Sequence, residues 1–248
     1  MWLWGVMWSA WAAPTEGAIR EELAYGTWLD WTHQVLEVNV VHRHQTSEGQ
    51  RQAELAAIQD MDVALRMGAK RIRIQEGRTV AEDPTSEALL GRLTRRAVVE
   101  ARYGREGSIG LTAELPLSVL LGPWTLSRTG SQSLDVQADG YFTGVVLDAR
   151  GLRANPAWAP RVLGSGGEVL YGEEWADSGE LVSTPAVYVP DPTHPEAQRA
   201  GDNPLILLVE AVRGVDLRLS DVGEGCLIAA PSAGQALRQG RLVVVVDP

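Results

Sequence analysis

The stretch Ser47–Ile72 (SEGQRQAELAAIQDMDVALRMGAKRI) decides the fold of the first half of the chain. Ser47 offers an N-cap and Gln50 follows three residues on, the spacing of a capping box. Behind them Leu55, Ile58, Asp62, Leu65, Ala69 and Ile72 recur at intervals of three and four. That is one stripe of a long amphipathic helix, with Asp62 its single polar member. Ala53, Ala56, Ala57 and Ala64 favour helix, while Gly68 costs about 1 kcal/mol relative to alanine.

Strands flank this helix. Gln34–His42 (QVLEVNVVH) alternates as a strand does. Beyond the helix, Asp83-Pro84-Thr85 opens a short second helix with Leu89, Leu90 and Leu93 on its apolar side. Ala97–Tyr103 (AVVEARY) and Ser108–Leu117 (SIGLTAELPL) then form a hairpin around Gly104-Arg105-Glu106-Gly107. The unit reads β-α-α-β-β, a helix packed on an antiparallel sheet, and Gly122-Pro123 is expected to break it. Residues 130–140 are polar and turn-rich, the composition of a linker.

Past that point the chain is strand-dominated. Tyr141–Asp148, Arg161–Leu163 and Glu168–Tyr171 read as strands, the last two joined by Gly164-Ser165-Gly166-Gly167. Pro185 to Pro195 holds four prolines and reads as an irregular surface excursion. Leu205–Val212 (LILLVEAV) and Leu242–Val246 (LVVVV) are nearly all apolar, as expected of strands covered on both faces. Val215–Leu219 is a third strand, after which Ser220 caps a short helix through Ile228. The expected fold class is therefore α+β, with a helix-on-sheet domain over 14–129, a linker over 130–140 and a strand-rich α+β domain over 141–248. The two domains are expected to be separable at the linker.

Met1–Ala13 (MWLWGVMWSAWAA) is uncharged, too short to span a bilayer, and ends in the small residues of an A-x-A exit. It reads as a signal peptide whose basic n-region is missing or truncated. With no cysteine at the exit, the product is expected to be exported, periplasmic or outer-membrane-associated, without a lipid anchor or transmembrane span. The formal charge of −10 argues against nucleic acid as a partner. A single cysteine, Cys226, excludes an internal disulfide and a thiolate zinc site, and its apolar neighbours suggest a buried thiol.

Chemistry-bearing patterns are sparse, and no cofactor is implied. His42 and His44 fall on one face of a strand, where two imidazoles can share a metal ion if His33 or Glu37 supplies a third ligand. Glu168–Glu180 (EVLYGEEWADSGE) gathers carboxylates beside Trp175, so Glu173 and Asp177 are the candidate pair for glycoside hydrolysis. Ser165 lies in G-S-G-G, not a nucleophile elbow, and Gly223-x-Gly225-x-x-Ile228 is a dinucleotide fingerprint without its third glycine. Nine bases fall between Lys70 and Arg105 against five acids, in a chain otherwise acidic. Arg71, Arg73, Arg92, Arg95 and Arg96 are the candidates there for binding an acidic protein or an anionic envelope polymer; a solvated helix end is the plainer reading.

Two stretches carry a resemblance. Arg51–Ala69 and Gly107–Leu117 (GSIGLTAELPL) resemble the Ala-rich helix and following strand of small bacterial envelope lipoprotein domains and of the N-terminal domain of flagellar assembly protein T. Thr143–Leu152 (TGVVLDARGL) and Asn203–Ala211 (NPLILLVEA) resemble the domain that follows it in exported bacterial proteins. The sequence departs from lipoprotein members in lacking the lipidated cysteine. The resemblance implies an exported, non-enzymatic envelope or flagellum-associated protein, and the expected function is that of a structural or assembly component acting by protein–protein contact. The alternatives are a metal- or carboxylate-dependent hydrolase of envelope polysaccharide, and a small-ligand module using the cleft between the halves.

Overall fold

A computed structural model describes residues 17–24, 26–44, 47–91, 93, 97–104, 107–128, 141–172 and 184–248. The fold is α+β. Met1–Ala13 and the 130–140 linker lie outside the described residues.

The first sheet has the order β1-β2-β3-β7-β6 and is antiparallel throughout. Its strands are β1 (Arg20–Ala24), β2 (Thr27–Asp30), β3 (Val35–Arg43), β6 (Val98–Tyr103) and β7 (Ser108–Pro116). β3 and β7 pair over nine residues, from Val35 opposite Pro116 to Arg43 opposite Ser108. β1 and β2 add two strands that the alternation of the sequence did not announce. Helix α1 (Ser47–Arg71) crosses one face of this sheet.

The buried row of α1 differs from the expected stripe. Ala53, Ala57, Met61, Leu65 and Ala69 are buried at four-residue spacing, whereas Leu55 and Ile58 are exposed. Small side chains let the helix lie close on the strands. At Gly68 a Cβ would fall 2.2 Å from Thr27 Cγ2, so the glycine that weakens the helix is what admits β2 beneath it.

Two short strands, β4 (Arg73–Gln75) and β5 (Arg78–Thr79), form a ribbon after α1, and α2 (Ser86–Leu90) follows. Gly122-Pro123 does not break the unit. Both residues lie inside α3 (Leu117–Arg128). An interior proline costs about 3 kcal/mol, but Leu117, Leu120, Leu121 and Trp124 are all buried there, at about 1.5–3 kcal/mol each. Trp124 also donates its indole N–H to Asp83 Oδ2 at 2.8 Å.

The second sheet runs β10-β9-β13-β12-β8-β14-β11. Its strands are β8 (Val145–Asp148), β9 (Val162–Leu163), β10 (Val169–Tyr171), β11 (Val187–Val189), β12 (Leu205–Arg213), β13 (Asp216–Leu219) and β14 (Leu242–Val245). The centre β12-β8-β14-β11 is parallel, and β12–β13 and β9–β10 are antiparallel. Helices α4 (Asp221–Ile228) and α5 (Pro231–Arg238) pack on it. Ser220 Oγ accepts the Gly223 N–H at 3.2 Å, the expected cap of α4. Two expectations are corrected here. Pro185–Pro195 is an irregular surface segment only from Pro190 onward, because it begins with β11, a fully buried edge strand that Pro185 and Pro190 flank without interrupting. β12 is not covered on both faces: Ile206 and Leu208 are 61% and 72% exposed.

The halves do not hold two separate cores. One buried cluster runs from Leu29, Trp31 and Leu65 through Trp124 and Trp158 to Leu217 and Val244. Across the seam Trp31 meets Tyr188 edge-on at 5.8 Å between ring centroids, and Thr32 Oγ1 donates to the Tyr188 carbonyl at 2.7 Å. The Trp158 N–H donates to the Arg73 carbonyl and the Ala159 N–H to the Ile74 carbonyl, each at 2.9 Å, which lays residues 158–159 along β4. The expected separability of the halves therefore meets a buried, hydrogen-bonded contact. Among the described residues no helix is long and apolar enough to cross a membrane.

Candidate functional site

The β4–β5 ribbon is where the basic segment meets the seam. α1 ends at Arg71 with Lys70 beside it, two cations at the negative end of the helix dipole. The ribbon then turns at Glu76-Gly77, with Gly77 at φ 65°. Two cavities flank it and share Thr79. One, about 380 Å3, is lined by Met67, Lys70, Arg71, Thr79 and Ala81. The other, about 290 Å3, lies on the seam between Arg73, Gln75, Glu76, Arg78 and Glu82 on one side and Asn155, Gly214 and Val215 on the other.

The charges in the seam cavity are not equivalent. Arg73 is spent on internal contacts: Nη2 meets Glu21 at 2.7 and 2.8 Å, Nε donates to the Pro156 carbonyl at 2.8 Å, and the guanidinium lies 5.9 Å from the Trp31 ring centroid. Arg73, one of the candidate partner-binding arginines, here ties the halves together. Glu76 reaches across to accept the Val215 N–H at 2.9 Å. Gly214 stands so close, at φ 62°, that a Cβ would meet Glu76 Oε2 at 1.6 Å. Glu82 accepts from the Thr79 N–H and hydroxyl at 2.7 and 2.9 Å, which holds its carboxyl below the ordinary glutamate range. Arg78 remains. Its Nη1 is out of contact with solvent and has no hydrogen-bond partner.

Of the other candidates, Arg71 is exposed beside the first cavity and donates one Nη to the Leu23 carbonyl. Arg92, Arg95 and Arg96 lie outside the described residues, as do Glu173 and Asp177. His42 pairs with Asp60 at 2.9 Å, and His44 lies just beyond the same end of β3. The third ligands proposed for them are elsewhere: His33 is held by Asp30 at 2.9 Å at the opposite end of β3, and Glu37 is paired with Arg20. Among the described residues no three His, Cys, Asp or Glu side chains are grouped to hold a metal.

Ser165 sits in the β9–β10 turn, its N–H and Oγ both donating to Glu224 at 2.8 and 2.9 Å, without a histidine. Cys226 is exposed, contrary to the buried thiol suggested by its neighbours. α4 turns Gly223 and Leu227 inward, so residue 226 faces out. Gly223 and Gly225 belong to that capped helix.

Residues 144–248 match the family model of Treponema pallidum Tp0624, second domain. This half of the chain, which contains the second sheet with α4 and α5, is similar to that domain. No match to a curated protein was found.

Sequence reasoning placed Lys70, Arg71, Arg73 and Arg78 in one basic run but missed the pairing that separates Arg73 from Arg78, and missed Glu76, Asn155 and Gly214. The available signal was Glu76-Gly77 between Gln75 and Arg78, the composition of a tight ribbon turn.

Proposed function

We propose that this protein is an exported component of a bacterial envelope that acts by protein–protein contact, as a structural or assembly part and not as an enzyme. The observation that carries this reading is the basic cluster at the β4–β5 ribbon, where exposed Lys70 and Arg71 stand beside half-buried Arg78. An arginine fork donates two hydrogen bonds to one carboxylate, so the partner is an acidic protein surface. Arg92, Arg95 and Arg96 continue the same charge along the sequence. The apolar leader Met1–Ala13 supports export, and the lipoprotein and flagellar-assembly resemblance supports an envelope or motility assembly.

The test is a salt titration of binding to polyglutamate and to envelope fractions. Wild-type binding is expected to weaken as salt shortens the screening length below about 8 Å. The variant Lys70→Gln/Arg71→Gln/Arg78→Met is expected to lose it while keeping its far-ultraviolet spectrum. Unaltered, salt-insensitive binding in the variant would reduce the basic run to a solvated helix end. Mass spectrometry of the exported product is expected to find Ala13 or Pro14 at the N-terminus; a cytoplasmic product that keeps Met1 would remove the export half of the reading.

A further inference from the structure

The first sheet ends in β6, and among the described residues only β7 pairs with it. Residues 99–103 are all exposed, Val99 at 43% and Tyr103 at 61%. The register with β7 fixes the faces: Val99, Ala101 and Tyr103 stand opposite Ala113, Leu111 and Ile109 on the α1 side, while Glu100 and Arg102 stand opposite Thr112 and Gly110 on the other. Tyr103 is hydrogen-bonded to Glu54 of α1, and the exposed Ile58 lies one turn further along that side of the helix. Among the described residues the outer edge of the sheet is thus a strand with open backbone groups and an apolar row on one face. Such an edge templates pairing with another chain.

Protein edges of this kind are usually guarded by charge, and here the guards are self-complementary. Two copies of β6 pairing antiparallel keep like faces together in a small set of registers. With Ala101 opposite Ala101 of the second copy, Glu100 faces Arg102 twice, and Val99 faces Tyr103 twice. Sliding by two residues one way sets Glu100 against Glu100; sliding the other way sets Arg102 against Arg102. Like charges directly opposite are destabilising, and opposite charges and aromatic–β-branched pairs are stabilising. Within one chain Glu100 already meets Arg102 at 3.0 Å in full solvent. A second copy would give each carboxylate another guanidinium across the strand pair.

We propose that the β6 edge is a homodimer interface, with the two copies antiparallel about a two-fold axis through Ala101, so that the five-stranded sheet continues from one copy into the next. The contact is isologous and closes on itself, which yields a dimer and not a fibre. It is independent of the site at the β4–β5 ribbon and of the assembly in which the protein acts.

Sedimentation of the full chain over a concentration series tests it. Wild type is expected to dimerise. Glu100→Arg and Arg102→Glu alone, each placing like charges opposite, are expected to raise the dimer dissociation constant roughly tenfold or more. The double variant Glu100→Arg/Arg102→Glu restores opposite charges and is expected to restore the dimer; mixing the two single variants is expected to give a heterodimer. Both positions are exposed, and a circular-dichroism spectrum identical to wild type shows that each variant is folded. A wild type that stays monomeric to its solubility limit, which would leave the edge to a different partner strand, overturns the proposal. So does a dimer indifferent to the charge swap.

Discussion

β12 and β14 read alike in sequence and are covered differently in the fold. Both are runs of aliphatic residues, and both turn one face toward the large core: Leu207 and Val209 on β12, Leu242 and Val244 on β14. The opposite faces diverge. Val243 and Val245 of β14 pack with Val146, Val187, Val189, Ala197 and Ala200. Ile206 and Leu208 of β12, two strands away, stand in solvent. The 3-10 turn Pro195–Ala200 covers the sheet over β11 and β14, and β12 lies beyond it. An apolar run specifies a strand at the middle of a sheet; which of its faces is covered depends on where a remote segment lands.

The shared face should show the largest effect. Trp158 is fully buried, donates its indole N–H to Thr125 Oγ1 at 2.9 Å and lies on the seam. Trp158→Ala is expected to cost about 3–5 kcal/mol. If the buried cluster couples the halves, thermal unfolding followed by calorimetry and by tryptophan fluorescence shifts as one transition. Two resolved transitions, with only the second lowered, would mean that the sheets unfold independently despite their contact.

Adjacent residues of β12 provide the sharpest contrast between faces. Leu207→Ala, on the buried side, is expected to cost about 2–5 kcal/mol. Leu208→Ala, on the open side, is expected to stay within about 0.5 kcal/mol. Urea denaturation of the two variants measures both. Comparable losses would mean that something covers Leu208 in solution.

The same contrast shows what sequence carries. Local periodicity located β3, α1, β6, β7, β12, β13, α4 and β14, because alternation and capping act over a few residues. It placed Leu65, Ala69 and Ile72 correctly in the core but started the row on Leu55 and Ile58, which outweigh Ala53 and Ala57 in hydrophobicity while the alanines are what fit against the strands. β11 was hidden by Pro185 and Pro190, which bracket a buried strand that pairs with β14, more than fifty residues away. The site fared similarly. Its positive charge was legible, but whether an arginine is spent internally, as Arg73 is on Glu21 and Pro156, or left open, as Arg78 is, depends on long-range contacts.

Covering of the core-side face also depends on α4, whose Ser220 cap joins it to β13. Ser220→Ala is expected to lower stability by about 0.5–2 kcal/mol. Ser220→Asp, which keeps an acceptor beside the Gly223 N–H, is expected to recover most of it. Equal losses in both variants, read as melting temperature, would mean that Ser220 acts by packing and not by capping.

The smallest effect is expected at the far edge of the second sheet, where β9 and β10 are fastened to α4 by one carboxylate. Glu224 accepts from the Ser165 N–H and hydroxyl and is hydrogen-bonded to Glu168. The Ser165 N–H, ahead of the other two contacts, holds its pKa below the ordinary glutamate value of 4.5. A carboxylate whose pKa falls on folding stabilises the fold above its unfolded value. That contribution is lost as pH falls through 4.5 toward the depressed native value. Glu224→Gln keeps an acceptor oxygen but cannot titrate. Its melting temperature is expected to lie slightly below wild type at neutral pH, and the two curves are expected to converge as pH falls below about 4.5. Because Glu224 is at the surface, the difference is small and shrinks with salt. Parallel curves down to the acid transition would show that the β9–β10 edge is held by its strand pairing alone.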